Sequence, residues 1–165
     1  MAVENKYVDS LVAAGKVGVA LAPQQVFAVP VTFELAAADD DGSIYRLLKN
    51  VNPDLIPIKI EVFCDTVTSG TDYDLGVYEP LERGGAVIDK DCFMDGQTLA
   101  TAKSFADAPL AGLGIVNIDS ARKRIWEHAG HTQSTKKVGY DIALTGNTVG
   151  SAAVTVTVIF WFIQG

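Results

Sequence analysis

Residues 138–163 read VGYDIALTGNTVGSAAVTVTVIFWFI, two strand-like runs separated by Thr-Gly-Asn-Thr-Val-Gly-Ser at 145–151. Gly and Asn accept positive φ, and Thr and Ser hydrogen-bond their own backbone, so the stretch predicts a β-hairpin closed by a loop rather than a two-residue turn. Side chains alternate along a strand. That sends Val154, Val156, Val158, Phe160 and Phe162 to one face and Thr155, Thr157, Ile159, Trp161 and Ile163 to the other. The first set is apolar throughout and reads as a core face. The second begins polar and turns apolar, so its far half requires a cover: a second sheet, a chain arm or another subunit.

The same alternation recurs upstream. Residues 55–65, LIPIKIEVFCD, place Ile58, Ile60, Val62 and Cys64 on one face, and residues 72–78, DYDLGVY, place Tyr73, Leu75 and Val77 on one face. These two runs are expected to form a second hairpin. The return run, Tyr-Asp-Leu-Gly-Val, echoes Tyr-Asp-Ile-Ala-Leu at 140–144. Residues 26–35, VFAVPVTFEL, give a first strand, and Pro30 puts it at an edge or a bulge because proline cannot donate to a ladder. Residues 44–51 fit either a strand or a helical turn. Residues 79–97 read mainly as loop with a short strand at 86–88, and residues 98–105 and 113–118 add further short strands. Asp119 or Ser120 is expected to cap a helix through Ala129, with Ile118, Ala121, Ile125 and Ala129 inward and Gly130 ending it. About eight short strands and one short helix make an all-β fold, an antiparallel β-sandwich.

Ahead of this domain, Val3, Tyr7, Leu11 and Ala14 fall at helical spacing and Gly15 is placed to stop a helix. A helix this short is marginal in water, so the apolar N-terminal arm must dock, either on its own domain or on a neighbour. The expected division is an arm at 1–25 and a sandwich domain at 26–165.

A chain of 165 residues with 48% hydrophobic content fits one domain with a sizeable core and is not disordered. The apolar run at 152–163 is too short to cross a bilayer. Glu4, Lys6, Asp9 and Lys16 interrupt the apolar start, so no signal peptide is expected. Thirteen basic residues against 20 acidic ones leave a net charge of −7, which works against a nucleic-acid surface; Arg122-Lys123-Arg124 and Lys136-Lys137 read as solvated faces. Cys64 and Cys92 do not make a disulfide framework, and Cys64 reads as reduced and buried.

Chemical motifs are sparse. Asp39, Asp40 and Asp41 read as a turn. Asp89, Asp91 and Asp95-Gly96 miss the calcium-loop pattern, with Phe93 at an expected oxygen position and no closing glutamate. His128, His131, Cys64 and Cys92 lack the paired spacing of a structural zinc site. Neither G-x-S-x-G, nor H-E-x-x-H, nor a phosphate-cradling glycine loop occurs. The expectation is a protein with no catalytic residues, no metal and no cofactor.

The order of an apolar arm, AAADDDGSIYRLLK, LIPIKIEVFCD, DYDLGVYEP, AVIDKDCFMDGQTL, a short helix with IWEHAGH, and YDIALTGNTVGSAAVTVTVIFWFIQG resembles the small decoration, or cement, proteins of tailed bacteriophage capsids. The resemblance implies a jelly-roll-like sandwich, made in the host cytoplasm, that sits on the capsid exterior of the virion and bridges major capsid protein subunits. It also implies a small homo-oligomer, a dimer with a trimer as the alternative. On this reading Ile159, Trp161 and Ile163 form the self-association interface, and Tyr7, Leu11 and Val12 form the capsid-binding arm. The competing class is a carbohydrate- or receptor-binding β-sandwich module, marked by a concave face of exposed aromatics. A small enzyme on a β scaffold ranks third, because it needs a deep pocket with coupled carboxylates or the histidines.

Overall fold

The computed structural model describes residues 3–8, 25–103, 122–132 and 139–164. Among these residues the chain forms eight strands: β1 (Asn5–Tyr7), β2 (Val26–Leu35), β3 (Ser43–Val51), β4 (Leu55–Cys64), β5 (Asp72–Tyr78), β6 (Val87–Gln97), β7 (Tyr140–Thr148) and β8 (Val154–Gln164). One short helix, α1 (Ile125–His128), precedes β7. The strands build two sheets, a large one in the order β1-β3-β7-β5-β6 and a small one in the order β2-β8-β4. All pairs are antiparallel except β1 with β3. Beyond β4, Lys103 exchanges both backbone hydrogen bonds with Cys64, at 3.1 and 2.7 Å. With β1 set aside, β2-β8-β4 facing β3-β7-β5-β6 is the strand order of a jelly roll within an all-β sandwich.

The core lies between the sheets. Val154, Val156, Val158, Phe160 and Phe162 are all buried, as the alternation of β8 requires. They meet Tyr45, Ile142, Leu144, Tyr73, Leu75 and Val77 from the large sheet. Phe160 and Phe162 stack at 6.1 Å, Phe27 lies tilted against Phe162 at 5.7 Å, and Phe33 of β2 reaches Tyr45 of β3 at 5.7 Å.

Several connections differ from the sequence reading. The runs flanking residues 145–151 do not pair as a hairpin: β7 lies in the large sheet and β8 in the small one, so the segment arches across the sandwich. The same holds for β4 and β5, which were expected to pair. The reason is that both strands of each couple have an apolar face to bury, and facing each other across the core buries both. The two arches pack together. Ser151 donates its N–H to Thr68 O at 3.0 Å, Gly150 donates to the Tyr73 hydroxyl at 3.4 Å, and a side chain on Gly150 would collide with Thr68 and Val67. The two similar runs at 73–77 and 140–144 are instead neighbours, with Leu75 opposite Leu144 and Val77 opposite Ile142.

Residues 87–97 are one continuous strand, not a loop. β6 pairs only with β5, and an edge strand tolerates the charges of Asp89, Lys90, Asp91 and Asp95. Residues 43–51 settle as strand. Ile58 is 41% exposed rather than inward, because the ladder slips between Pro57 and Lys59 and makes Ile58 the extra residue of a bulge. The helix starts late: Arg122 has φ 70 and Arg124 is extended, so α1 begins at Ile125, capped by Glu127 reaching back to the Arg124 N–H at 2.7 Å. Ile125 and Ala129 are buried, and Gly130, at φ 75, ends the helix. The expected caps Asp119 and Ser120, the inward Ile118 and Ala121, and the strand at 113–118 lie outside the described residues.

Two outcomes follow from this packing. Phe160 is fully buried, so Phe160→Ala should cost about 3–5 kcal/mol in chemical denaturation; an unchanged midpoint would contradict the core assignment. His128 is 7% exposed, lies edge-on to Phe93 at 5.1 Å, and its Nε2 has no hydrogen-bond partner among the described residues. Burial first, then the charge of Lys123, pushes its pKa from 6.5 down to about 4. A depressed folded-state pKa means stability present above pH 6.5 and lost as pH falls toward 4. Between pH 7 and 4.5 the native chain should therefore lose about 2–3 kcal/mol more than His128→Gln, measured by denaturation at both pH values.

Candidate interaction surfaces

The outer face of the small sheet carries the strip that the alternation of β8 singles out. Ile159, Trp161 and Ile163 lie side by side on the central strand and are half-buried. Across from them, β2 contributes Pro30, Ala28 and Val26, the last 52% exposed. On β4, Glu61 stands opposite Ile159 and Lys59 opposite Trp161. These polar groups are satisfied within the face. The Trp161 indole N–H donates to Glu61 at 2.9 Å, and Lys59 pairs with the same carboxylate at 2.6 Å. The Lys59 pairing foremost, with help from Trp161, holds the Glu61 carboxyl below its ordinary range.

Toward the other end the face turns polar. Thr32 and Thr157 share a hydrogen bond at 2.9 Å, and Thr155 donates to Glu34 at 3.1 Å. The face is thus apolar around Trp161 and Val26, carries the Lys59–Glu61 ion pair beside them, and is polar toward Thr155 and Glu34. Glu61 could not be linked to Trp161 from sequence, since 100 positions separate them.

The second surface is the edge of the large sheet where the N-terminal segment sits. The described part of that segment is a strand, not the helix expected at 3–14. Pairing with the free edge of β3 satisfies its backbone, which an exposed helical turn of this length does less well. Ile44 donates to Glu4 O at 2.6 Å and Val8 donates to Arg46 O at 3.2 Å, while Val8 itself is buried. Tyr7 is half-buried: its hydroxyl donates to Glu82 at 3.1 Å and accepts the Leu81 N–H at 3.3 Å, and Lys49 lies 4.6 Å from its ring centre. Burial, and next the Asp141 carboxylate, raise the Tyr7 phenol above its ordinary value. Lys49 also pairs with Glu82, whose carboxyl is drawn down to about 2. Tyr7 therefore docks on its own domain in this chain; Leu11 and Val12 lie outside the described residues.

Beneath Tyr7 is a residue the sequence reading passed over. Arg46 is fully buried on the outward face of the large sheet. Its guanidinium donates to Asp141 at 2.9 Å, to Glu79 O and Gly85 O at 2.7 Å each, and to Asn5 Oδ1 at 2.9 Å, and it lies over the Tyr78 ring at 5.3 Å. The signal was an arginine inside SIYRLLKNV, a run otherwise patterned for burial. Beside the same edge, Lys49, Asn50, Pro80, Glu82 and Arg83 line an open cleft of about 220 Å³.

The acidic clusters are used internally. Asp39 accepts from the Tyr45 hydroxyl at 2.7 Å, Asp41 from the Val149 N–H at 2.9 Å, and Asp74 from Lys90, Asn147 and the Gly96 N–H. Asp89 lies beside Asp91; burial first, then that neighbour, raises its pKa. Among the described residues no three His, Cys, Asp or Glu side chains are grouped to hold a metal ion. Cys64 and Cys92 are both free thiols. No described helix is long and apolar enough to cross a membrane.

No family model matches the chain. No curated protein matches it either. Among solved structures, a chain from the capsid of Ralstonia phage GP4 is similar at a TM-score of 0.56 and 13% identity, over 90% of each chain. A chain from the capsid asymmetric unit of cyanophage Pam1 aligns at a TM-score of 0.49 and 15% identity, over 93% of this chain and 96% of that one. The first likeness, spanning nearly all of both chains, extends to the fold as a whole.

Proposed function

We propose that this protein is a structural component of a phage virion that decorates the capsid exterior and cements neighbouring major capsid protein subunits. The observation that carries the reading is the sandwich held in common with a chain of a phage capsid over 90% of both lengths. The two surfaces add physical sense to it. A cement protein needs no reaction centre; it binds the assembled shell in preference to free subunits and so stabilises the shell by mass action. A stable attachment buries on the order of 800 Å² per partner, which calls for surfaces rather than a pocket.

In this reading the protein is a homo-oligomer, a dimer before a trimer, joined through Ile159, Trp161 and Ile163. The pairing of Glu61 with Lys59 and Trp161 favours that role, because a face whose polar groups are already satisfied loses little when water leaves it. The arm beyond Val8, with Leu11 and Val12, meets the major capsid protein.

Trp161→Asp should weaken self-association by about 2 kcal/mol or more while the far-ultraviolet signature of β structure persists. Sedimentation velocity reads both the mass and the shift; an unchanged oligomer removes the interface from this strip. Because Asn5–Tyr7 belongs to the sheet, deleting the arm outright would damage the domain. The paired change Leu11→Asp with Val12→Asp spares that strand. It should leave the oligomer intact and reduce co-sedimentation with phage heads stripped of this protein. Retained co-sedimentation would take the arm out of capsid binding, and failure of the native chain to co-sediment would sink the cement reading.

A further inference from the structure

We propose that Lys90 and Asn147 form a covalent cross-link, an isopeptide bond between their side chains that ties β6 to β7 across β5, with Asp74 carrying the protons. The inference stands on these three residues and not on the capsid reading. Lys90 Nζ lies 3.0 Å from Asn147 Oδ1 and 2.8 Å from Asp74 Oδ2, and the same carboxylate oxygen accepts from Asn147 Nδ2 at 2.6 Å. Asp72 also accepts from Nδ2, at 3.1 Å. The amide is thereby oriented, its oxygen toward the amine and its nitrogen toward the carboxyl groups. An amine held at the carbonyl, with a proton carrier at both the amine and the leaving nitrogen, is the arrangement that aminolysis of an amide needs.

The sheet is shaped to bring these groups together. β5 lies between β6 and β7, so a side chain from β6 has to cross a whole strand to reach β7. At this point the ladder slips: Val77 pairs with Asp89 but Leu75 pairs with Met94, which leaves Gly76 alone against residues 90–93. A side chain on Gly76 would collide with the backbone of Asp89 and Lys90. Its absence lets β6 press onto β5 at Lys90, and the amine reaches Asn147 on the far side. Asp74 is 2% exposed and is fixed from below by the Gly96 N–H at 2.8 Å.

Burial pushes the Asp74 carboxyl up, but the Gly96 N–H, Lys90 and Asn147 together hold it below its ordinary value. Asp74 in turn raises Lys90, and Asp91 and Tyr78 add to the effect. The pair therefore rests as ammonium and carboxylate. Reaction starts when Nζ passes one proton to Asp74 Oδ2. The freed lone pair attacks Asn147 Cγ, the Nζ–Cγ bond forms, the Cγ–Nδ2 bond breaks, and Nδ2 takes a proton from Asp74 and leaves as ammonia. Of the three ammonium protons, one stays on the new amide, one departs on ammonia and one ends on Asp74, which returns it to solvent. The balance needs no oxidant or co-reactant, and the step runs once per chain. Neutral amine beside carboxylic acid holds the same number of protons as the resting ion pair, so the rate should be level from mildly acidic to mildly alkaline buffer.

Intact mass under denaturing conditions reads the bond directly. The full-length chain, purified and aged in neutral buffer, should lose the mass of one ammonia, and proteolysis should yield a branched peptide joining Lys90 to Asn147. Lys90→Arg keeps a cation beside Asp74 but lacks the primary amine, so it should hold its full mass. Asp74→Asn should do the same; circular dichroism checks that it folds, and Lys90→Arg carries the test if it does not. A native chain that stays at full mass overturns the proposal. So does ammonia loss that persists in Lys90→Arg, because that marks closure of Asn147 on its own backbone, a base-promoted reaction whose rate climbs with pH. A folded Asp74→Asn chain that cross-links as fast as the native one overturns the assignment of Asp74 as proton carrier.

Discussion

The guanidinium of Arg46, buried against Asp141, is the constraint on which the outward side of the large sheet depends. A buried charge is tolerable only when it is paired and its remaining donors are satisfied. Arg46 meets that condition by recruiting four residues from three separate pieces of chain: Asp141 from β7, the carbonyls of Glu79 and Gly85 from the turn after β5, and Asn5 from β1. Asp141 in turn takes the Asn50 N–H at 2.9 Å where β3 turns irregular, at φ 51. Around the pair lie further polar contacts, Tyr78 with Thr145 and Asp74 with Lys90 and Asn147. The large sheet thus has an apolar side toward the small sheet and a hydrogen-bonded side under its own loops. Uniform hydrophobicity would hold those loops less specifically.

The arrangement also explains why the two surfaces differ in kind. Among the described residues no loop covers Trp161 on the outward face of the small sheet, and Glu61 and Lys59 lie beside it. The large sheet closes its outward face but leaves the edge of β3 to be filled by the three residues of β1. One surface is shaped for face-to-face packing and the other for strand pairing.

How much of this could be read in the sequence follows from the range of each interaction. Alternation is local, so the inward face of β8, the outward setting of Ile159, Trp161 and Ile163, and the edge position announced by Pro30 were all legible. Pairing is not local. A loop such as Thr-Gly-Asn-Thr-Val-Gly-Ser has the same composition whether it returns a strand beside its predecessor or carries it across the core, and only the partner at Thr68 distinguishes the two. The bulge at Ile58 was hidden for the same reason, since it appears only against the register of β8. The Arg46 network was the least legible feature. Its members are spread from Asn5 to Asp141, and each alone looks like an ordinary surface residue. The length of β6 was missed because its charges resemble loop composition until an edge position gives them a place.

The place of β8 carries a kinetic consequence. It is the middle strand of the small sheet, flanked by β2 and β4, yet it comes after both of them in the chain. During synthesis β2 and β4 emerge with apolar faces and without the strand that joins them, since both ladders with β8 need Val154–Gln164 to have left the ribosome. Pairings between positions as far apart as Val26 and Ile163 close large loops, which slows the search. The central ladder of the small sheet can therefore form only after β8 has been made, and until then Pro30 and the charges of Glu34, Lys59 and Glu61 work against pairing of β2 and β4 with strands of other chains.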